Sequence, residues 1–310
     1  MRLCLGYNTA FDYWRWHDLA NRPAPVRRQP NFYAPTRELI TEARKELDIH
    51  KLPLHAIVSN ANDKRNHHEV KCHIAQIPLP ENSFVKHSKH VAVASPEACF
   101  LQLANMLSFT ELLQAGYELC RTYAIDPLSS DLLQRHQRTT IRSIESYLEK
   151  AAGINGSTKA CKALQYICDN SASPMETKMA LLLCLPTWAG GYGFPKPTLN
   201  KTVTVLDSDR LPKTYRCDLI WPNQKIALEY DSHLHHTTNK KVYLDSTRRV
   251  SIESSNTHVL SITKQQVYNA SAFNDLADVV AKYLGIRFKT ERKDFGIRQR
   301  KLRRNLGLGT

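Results

Sequence analysis

Between Thr214 and Asp231 the chain reads Thr-Tyr-Arg-Cys-Asp-Leu-Ile-Trp-Pro-Asn-Gln-Lys-Ile-Ala-Leu-Glu-Tyr-Asp, two strand-like runs on either side of Pro222-Asn223-Gln224-Lys225. Such runs around a turn-forming tetrapeptide specify a β-hairpin. With Asn223 and Gln224 as the loop, Trp221 faces Ile226, Leu219 faces Leu228, Cys217 faces Tyr230 and Asp218 faces Glu229; an odd number of turn residues would undo this pairing. Side chains alternate along a strand, so one face is apolar while the other carries Asp218, Glu229 and Asp231. Like charges set opposite each other destabilise a sheet by roughly 0.2–1 kcal/mol, so the acidic face requires a positive group.

Two compensations are open. Arg216, Lys225 or more distant basic side chains would neutralise a solvent-facing hairpin. Alternatively, the carboxylate oxygens suit a hard Mg²⁺ or Mn²⁺ ion, which can polarise a phosphodiester and lower the pKa of an attacking water, the chemistry of a hydrolytic nuclease. Glu176 is a further candidate, in Ser173-Pro174-Met175-Glu176 at the start of a helix. Ser-x-x-Glu is also a capping box, in which the glutamate returns to the N-cap amide.

Charge points towards the same partners. The 310 residues hold 43 Lys and Arg against 29 Asp and Glu, a net charge of +14 that favours polyanions such as DNA, with RNA open, or an anionic membrane surface. The longest apolar run, Met179 to Leu185, is far short of a membrane span, and the amino terminus lacks the pattern of a secretory signal, so a cytoplasmic protein is expected. Eight scattered cysteines without a CxxC read as reduced thiols. A hydrophobic content of 42% and only 11 Gly fit ordinary cores, and the length favours two domains.

Short strands at Leu54–Val58, Val70–Ile77 and Val91–Ala94, a helix from Thr36 to Leu47 and one from Ser95-Pro96-Glu97 to Leu107 predict a small α+β domain over residues 1–125. Residues 126–170 read as a helical connector with a solvated charged face. From 171 to 286 the expected order is a helix at Pro174–Leu185, strands near Thr202–Leu206, Thr214–Trp221 and Ile226–Asp231, a helix from Asn239 to Ser255, a strand His258–Thr263 and a helix Phe273–Leu284. The overall class is α/β, or α+β when both halves are counted. Residues 287–310 read as a basic tail in which Arg287, Lys289, Arg292, Lys293, Arg298, Arg300, Lys301, Arg303 and Arg304 would contact nucleic acid, or serve only as a solubilising end.

The motif set Glu176, Asp218-Leu-Ile-Trp-Pro222, Leu228-Glu-Tyr-Asp231, His233 to His236, Asp245 with Arg248, and Val259 to Val267 resembles the PD-(D/E)XK, or restriction-endonuclease-like, superfamily over residues 171–285. The similarity is to its branch near the very-short-patch-repair endonucleases. It implies an αβββαβ core and a Mg²⁺- or Mn²⁺-dependent endonuclease in which Asp218 and Glu229 ligate the metal. Asp231 would be a further acidic site residue and Glu176 an accessory ligand. The Lys that many members carry two residues after the Glu is replaced by Asp231, leaving His233, His235, His236 or Lys241 as candidates to activate water or to stabilise charge.

The amino-terminal half resembles domains beside AbiEi-type antitoxins, through Leu5-Gly-Tyr-Asn-Thr-Ala-Phe11 and Val93-Ala-Ser-Pro-Glu-Ala-Cys-Phe-Leu-Gln-Leu-Ala104. That implies a host-defence or mobile-element setting and a DNA- or protein-binding role for this half; a homo-oligomer is compatible with it. The rival to the nuclease is a catalytically inactive nuclease-fold regulator that binds DNA. His67, His68, Cys72 and His73 lack a second cluster to complete a zinc site and read as a polar turn. Gly190-Gly191-Tyr192-Gly193 lacks the ending of a phosphate loop.

Overall fold

The computed structural model describes residues 2–16, 23–27, 30–49, 52–75, 78–126, 129, 131–206, 211–231, 239–287 and 294–309. The chain is mixed α/β and divides into two units: residues 1–120 with 137–167, and residues 121–136 with 168–310. None of the described helices is long and apolar enough to cross a membrane.

In the first unit, β1 (Leu3–Leu5), β2 (Pro25–Val26), β3 (Leu54–Val58), β4 (Val70–Ile74), β5 (Phe84–Lys86) and β6 (Val91–Ala94) form a six-stranded sheet in the order β2-β5-β6-β1-β3-β4. All residues of β1, β3 and β6 are buried, which explains why these strands, His55 apart, read as continuous apolar runs rather than alternating ones. Helices α1 (Tyr7–Trp16), α2 (Arg37–Leu47), α3 (Pro96–Ala104) and α4 (Phe109–Cys120) belong with this sheet. Ser95 caps α3 as expected, its hydroxyl accepting from Ala98 N–H, with Pro96 in the first turn. The helix ends three residues before Leu107 because Ser108 and Glu111 form a reciprocal pair that starts α4: Ser108 N–H donates to Glu111 Oε2 at 2.8 Å, and Glu111 N–H to Ser108 Oγ at 3.4 Å.

The expected connector is not a separate piece. Its helices α5 (Ile141–Lys150) and α6 (Ser157–Leu164) bury Ile144, Tyr147, Leu148, Ala160, Ala163 and Leu164 and belong to the first unit, since amphipathic helices of this kind gain more from a core than from solvent. Residues 121–136 instead join the second unit as a small hairpin, β7 (Tyr123–Ile125) with β8 (Leu132–Gln134), tied to it where Thr122 N–H donates to Ser171 O at 2.8 Å.

The second unit continues with α7 (Pro174–Cys184), β9 (Thr198–Leu206), β10 (Pro212–Trp221), β11 (Ile226–Asp231), α8 (Asn239–Ser254), β12 (His258–Thr263), α9 (Lys264–Tyr268), α10 (Ala270–Leu284) and α11 (Phe295–Asn305). The sheet order is β12-β11-β10-β9, with β11 and β12 parallel across the α8 crossover and the other pairs antiparallel. The αβββαβ succession expected of residues 171–286 is therefore present in order. The turn is four residues long, a 3₁₀ turn at Pro222–Gln224 closed by Lys225 with φ of 52°, so the even count preserves the expected facing of Trp221 with Ile226 and Leu219 with Leu228.

The basic end of the chain is not a tail. Helix α11 buries Phe295, Gln299, Leu302 and Arg303, and Leu306 and Leu308 beyond it are buried too. Its arginine-rich composition conceals an apolar stripe of helical spacing. Gly190 has φ of 93°, and a Cβ there would lie 2.4 Å from Arg298 O, so only glycine lets the α11 backbone pass so closely.

Candidate functional site

The two ends of the β10–β11 hairpin differ. Near the turn Trp221, Ile220, Leu219, Ile226, Ala227 and Leu228 are all buried, and Ile220 and Ala227 pack in a cluster with Cys217, Ile252 and Val259. The regular pairing stops at Leu219 with Leu228, so the expected facings of Asp218 with Glu229 and Cys217 with Tyr230 do not form ladder pairs. Instead the Asp218 carboxylate takes the place of a backbone acceptor, with Tyr230 N–H donating to its Oδ2 at 2.8 Å. On the other side of β10, the ladder to β9 skips Asp218 opposite Asn200, whose φ of 52° marks a local break in β9. Two adjacent interruptions thus open the sheet around one carboxylate.

Glu176 and Glu229 meet Asp218 at this opening. Glu176 is 5% exposed. Ser173 Oγ accepts from Glu176 N–H at 3.2 Å, the first half of a capping box, but the box is not completed by a return of the Glu176 carboxylate to the Ser173 backbone N–H. Its Oε2 accepts from Ala172 N–H at 2.8 Å and from the Asn200 amide. The helix start therefore uses Ser173 as cap, while the glutamate points towards Asp218. Burial, with the Asp218 charge adding to it, pushes the Glu176 pKa up to about 7 against the hydrogen bonds it accepts.

Glu229 Oε2 accepts from Arg248 Nη2 at 2.9 Å, and the same guanidinium donates to Arg216 O. Glu229 Oε1 is buried without a hydrogen bond of ordinary geometry, although the Cys217 thiol lies beside the carboxylate. Burial and the neighbouring Asp218 charge push the Glu229 pKa up to about 7 despite Arg248. Asp218 is raised as well, mainly by burial, with the Tyr230 N–H, Arg248 and Arg216 opposing. The Cys217 thiol is pushed up to about 12, first by burial and then by Glu229, and is no nucleophile. Arg216 and Arg248 thus face three carboxyls, and among the described residues only Glu229 of these has an ion pair, with Arg248.

The remaining sequence candidates fall elsewhere. Asp231 is exposed at the end of β11, and the charges bearing on the three acids are their own and those of Arg216 and Arg248. His233, with His235 and His236, lies outside the described residues, as do Lys289, Arg292 and Lys293; for Lys241 only the backbone of α8 is described. Arg287 is exposed after α10. On α11, Arg303 is fully buried, with Nη2 donating to Val267 O at 2.6 Å and Tyr268 O at 2.8 Å, and Arg298 donates to Asp294 Oδ2 and Trp188 O, each at 2.7 Å. These two arginines fasten the helix, so Arg303 is not available to nucleic acid and Arg298 is engaged; Arg300, Lys301 and Arg304 are exposed.

Asn200 and the cationic partner role of Arg248 are the site features that sequence reasoning missed. A positive-φ asparagine within a strand run carries no distinctive sequence signature, while Arg248 was placed near the site only through its motif. Among the described residues no group of three Asp, Glu, His or Cys side chains is disposed to hold a metal ion. The donors nevertheless match a hard cation in part: they are carboxylate oxygens, one of them buried without a hydrogen bond of ordinary geometry. Arg248 stands on Glu229 where such an ion would compete. In the first unit, His67 Nδ1 accepts from Glu69 N–H, and His73 Nε2 lies 2.9 Å from His55 Nδ1, so these groups serve local structure. No family model, curated protein or solved structure matches the chain.

Proposed function

We propose that the second unit is a metal-dependent DNA endonuclease of the PD-(D/E)XK kind. It would hydrolyse phosphodiester bonds with Mg²⁺ or Mn²⁺ held by Asp218 and Glu229, with Glu176 as accessory. The observation that carries this reading is the convergence of three carboxyls from α7, β10 and β11 on the point where the sheet opens. A buried cluster of this kind is costly for stability and is more often kept for chemistry than for packing. When bound, the cation supplies Lewis acidity and a water of lowered pKa.

The chain's own groups contribute orientation and charge. Tyr230 N–H fixes the Asp218 carboxylate. Arg248, which would cede Glu229 to a bound cation, and Arg216 would offer guanidinium charge beside the acids, where negative charge develops on phosphate oxygens during attack. These arginines supply the cation that the replacement of Lys by Asp231 removes. A host-defence or toxin–antitoxin setting, and a partner-binding role for the first unit, rest on the antitoxin-like resemblance alone.

A second reading, a catalytically inactive DNA-binding regulator, is favoured by the Arg248–Glu229 ion pair standing where the cation would bind and by the lack of a ready three-ligand group among the described residues. Nicking of supercoiled plasmid with Mg²⁺, Mn²⁺ or EDTA decides between them. Metal-dependent cleavage lost in both Asp218→Ala and Glu229→Ala supports the nuclease; no cleavage, with metal-independent DNA binding by all three proteins, supports the regulator.

A further inference from the structure

Beside the acids, within the second unit, lies a cleft of about 660 Å³ walled by the β7–β8 hairpin and by Asn170, Ala172, Asn200 and Arg216. The hairpin contributes Arg135 and His136, so two guanidiniums and an imidazole line the space, with no acidic side chain among its described lining residues. None of the three acids lines the cleft; its wall residues Ala172 and Asn200 connect it to Glu176. Arg216 Nε donates to Asn200 Oδ1 at 2.6 Å, the Asn200 amide donates to Glu176, and Ala172 N–H donates to the same carboxylate. Leu132 and Leu133 on the hairpin are 52% and 49% exposed and give the rim an apolar surface of the kind that packs against sugars and unstacked bases.

A concave, cationic, amide-rich wall that is hydrogen-bonded to a carboxylate behind it suits a ligand bearing repeated negative charge. We propose that this cleft binds the sugar–phosphate backbone of a nucleic-acid strand and leads it to Glu176, Asp218 and Glu229, with Arg135 and His136 as positioning residues. The proposal deepens the nuclease reading and rests on it for the direction of the strand. Its new element is the hairpin 121–136, which lies outside the αβββαβ succession and reaches the second unit from the far side of α5 and α6 in sequence. It also moves nucleic-acid contact away from the carboxy-terminal arginines.

The test is fluorescence anisotropy of labelled single-stranded and duplex DNA oligonucleotides with the full chain in EDTA, across a range of NaCl concentrations. Arg135→Glu with His136→Glu is expected to weaken binding about tenfold or more at low salt and to make the salt dependence shallower by about one to two ions. Arg135→Lys is expected to retain affinity within about twofold, since a phosphate contact needs charge more than shape. His136 is exposed, so His136→Glu alone provides a variant that keeps its fold if the double one does not. Unchanged affinity in these variants, or a loss that appears only with Arg300→Glu, Lys301→Glu and Arg304→Glu on α11, overturns the proposal. A wild type that binds through the cleft but never nicks plasmid supports the cleft and overturns the hydrolytic reading; one that nicks equally well with the cleft variants overturns the cleft alone.

Discussion

The turn end and the acid end of the β10–β11 hairpin are a few residues apart and follow different rules. At the turn, apolar side chains are buried on both faces and the backbone pairs in regular register. At the acid end a side chain replaces a backbone acceptor, Asn200 breaks the neighbouring strand, and three carboxyls share one guanidinium ion pair. The contrast teaches that the sheet is held by its turn end, which allows the other end to carry an arrangement that lowers stability.

The largest expected effect lies at the packed end. Leu228 is fully buried, and Leu228→Ala should cost about 2–5 kcal/mol in chemical denaturation. A loss no greater than that of an exposed substitution would show that the turn end does not hold the unit.

At the acid end the sign reverses. The folded pKa values of Glu176 and Glu229 stand at about 7 against an ordinary 4.5, so between those values the folded protein binds more protons than the unfolded chain. Stability in EDTA should therefore fall as pH rises from about 4.5 to about 7 and level off above, by on the order of 2 kcal/mol or more. Glu229→Gln should flatten much of that fall and raise the melting temperature above neutrality. Thermal melts of both proteins across this range give the slope; a stability that rises with pH through the window would contradict the account.

The same division into a packed and a charged side recurs on α11. Removing Arg303 leaves Val267 O and Tyr268 O without their donor, so Arg303→Ala should cost about 1–3 kcal/mol, whereas Arg304→Ala at an exposed position should stay within about 0.5 kcal/mol. Equal small effects would return this helix to the status of a solvated basic end.

Much of this was legible beforehand where periodicity and turn length suffice. The strands Leu54–Val58, Val91–Ala94, Ile226–Asp231 and His258–Thr263 lie where their apolar patterns put them, and the pairing of Leu219 with Leu228 follows from an even turn. The convergence of Asp218 with Glu229 was legible too, although the ladder between them was not, because a carboxylate that accepts a backbone N–H leaves no trace in alternation. Asn200 was hidden because its role depends on a backbone conformation. Residues 121–125, read as the end of the first domain, and 126–136, read as part of a connector, belong instead to the second unit, since the chain leaves the first unit and returns at Gln137, a path set by long-range packing. Helix α11 was obscured by charge: its apolar residues are few, but helical spacing gathers them on one side and a buried arginine completes that side.

The proposed nuclease function requires that the acid end of the hairpin bind a divalent cation through Asp218 and Glu229. Isothermal titration calorimetry of Mn²⁺ into the full chain, compared with Asp218→Asn and Glu229→Gln, tests it without requiring turnover. Saturable binding by the wild type, lost or weakened about tenfold or more in each variant, is the expected result, as removal of a charged ligand from a hard-cation site entails. Absence of binding by the wild type, or binding that both variants retain, would contradict it.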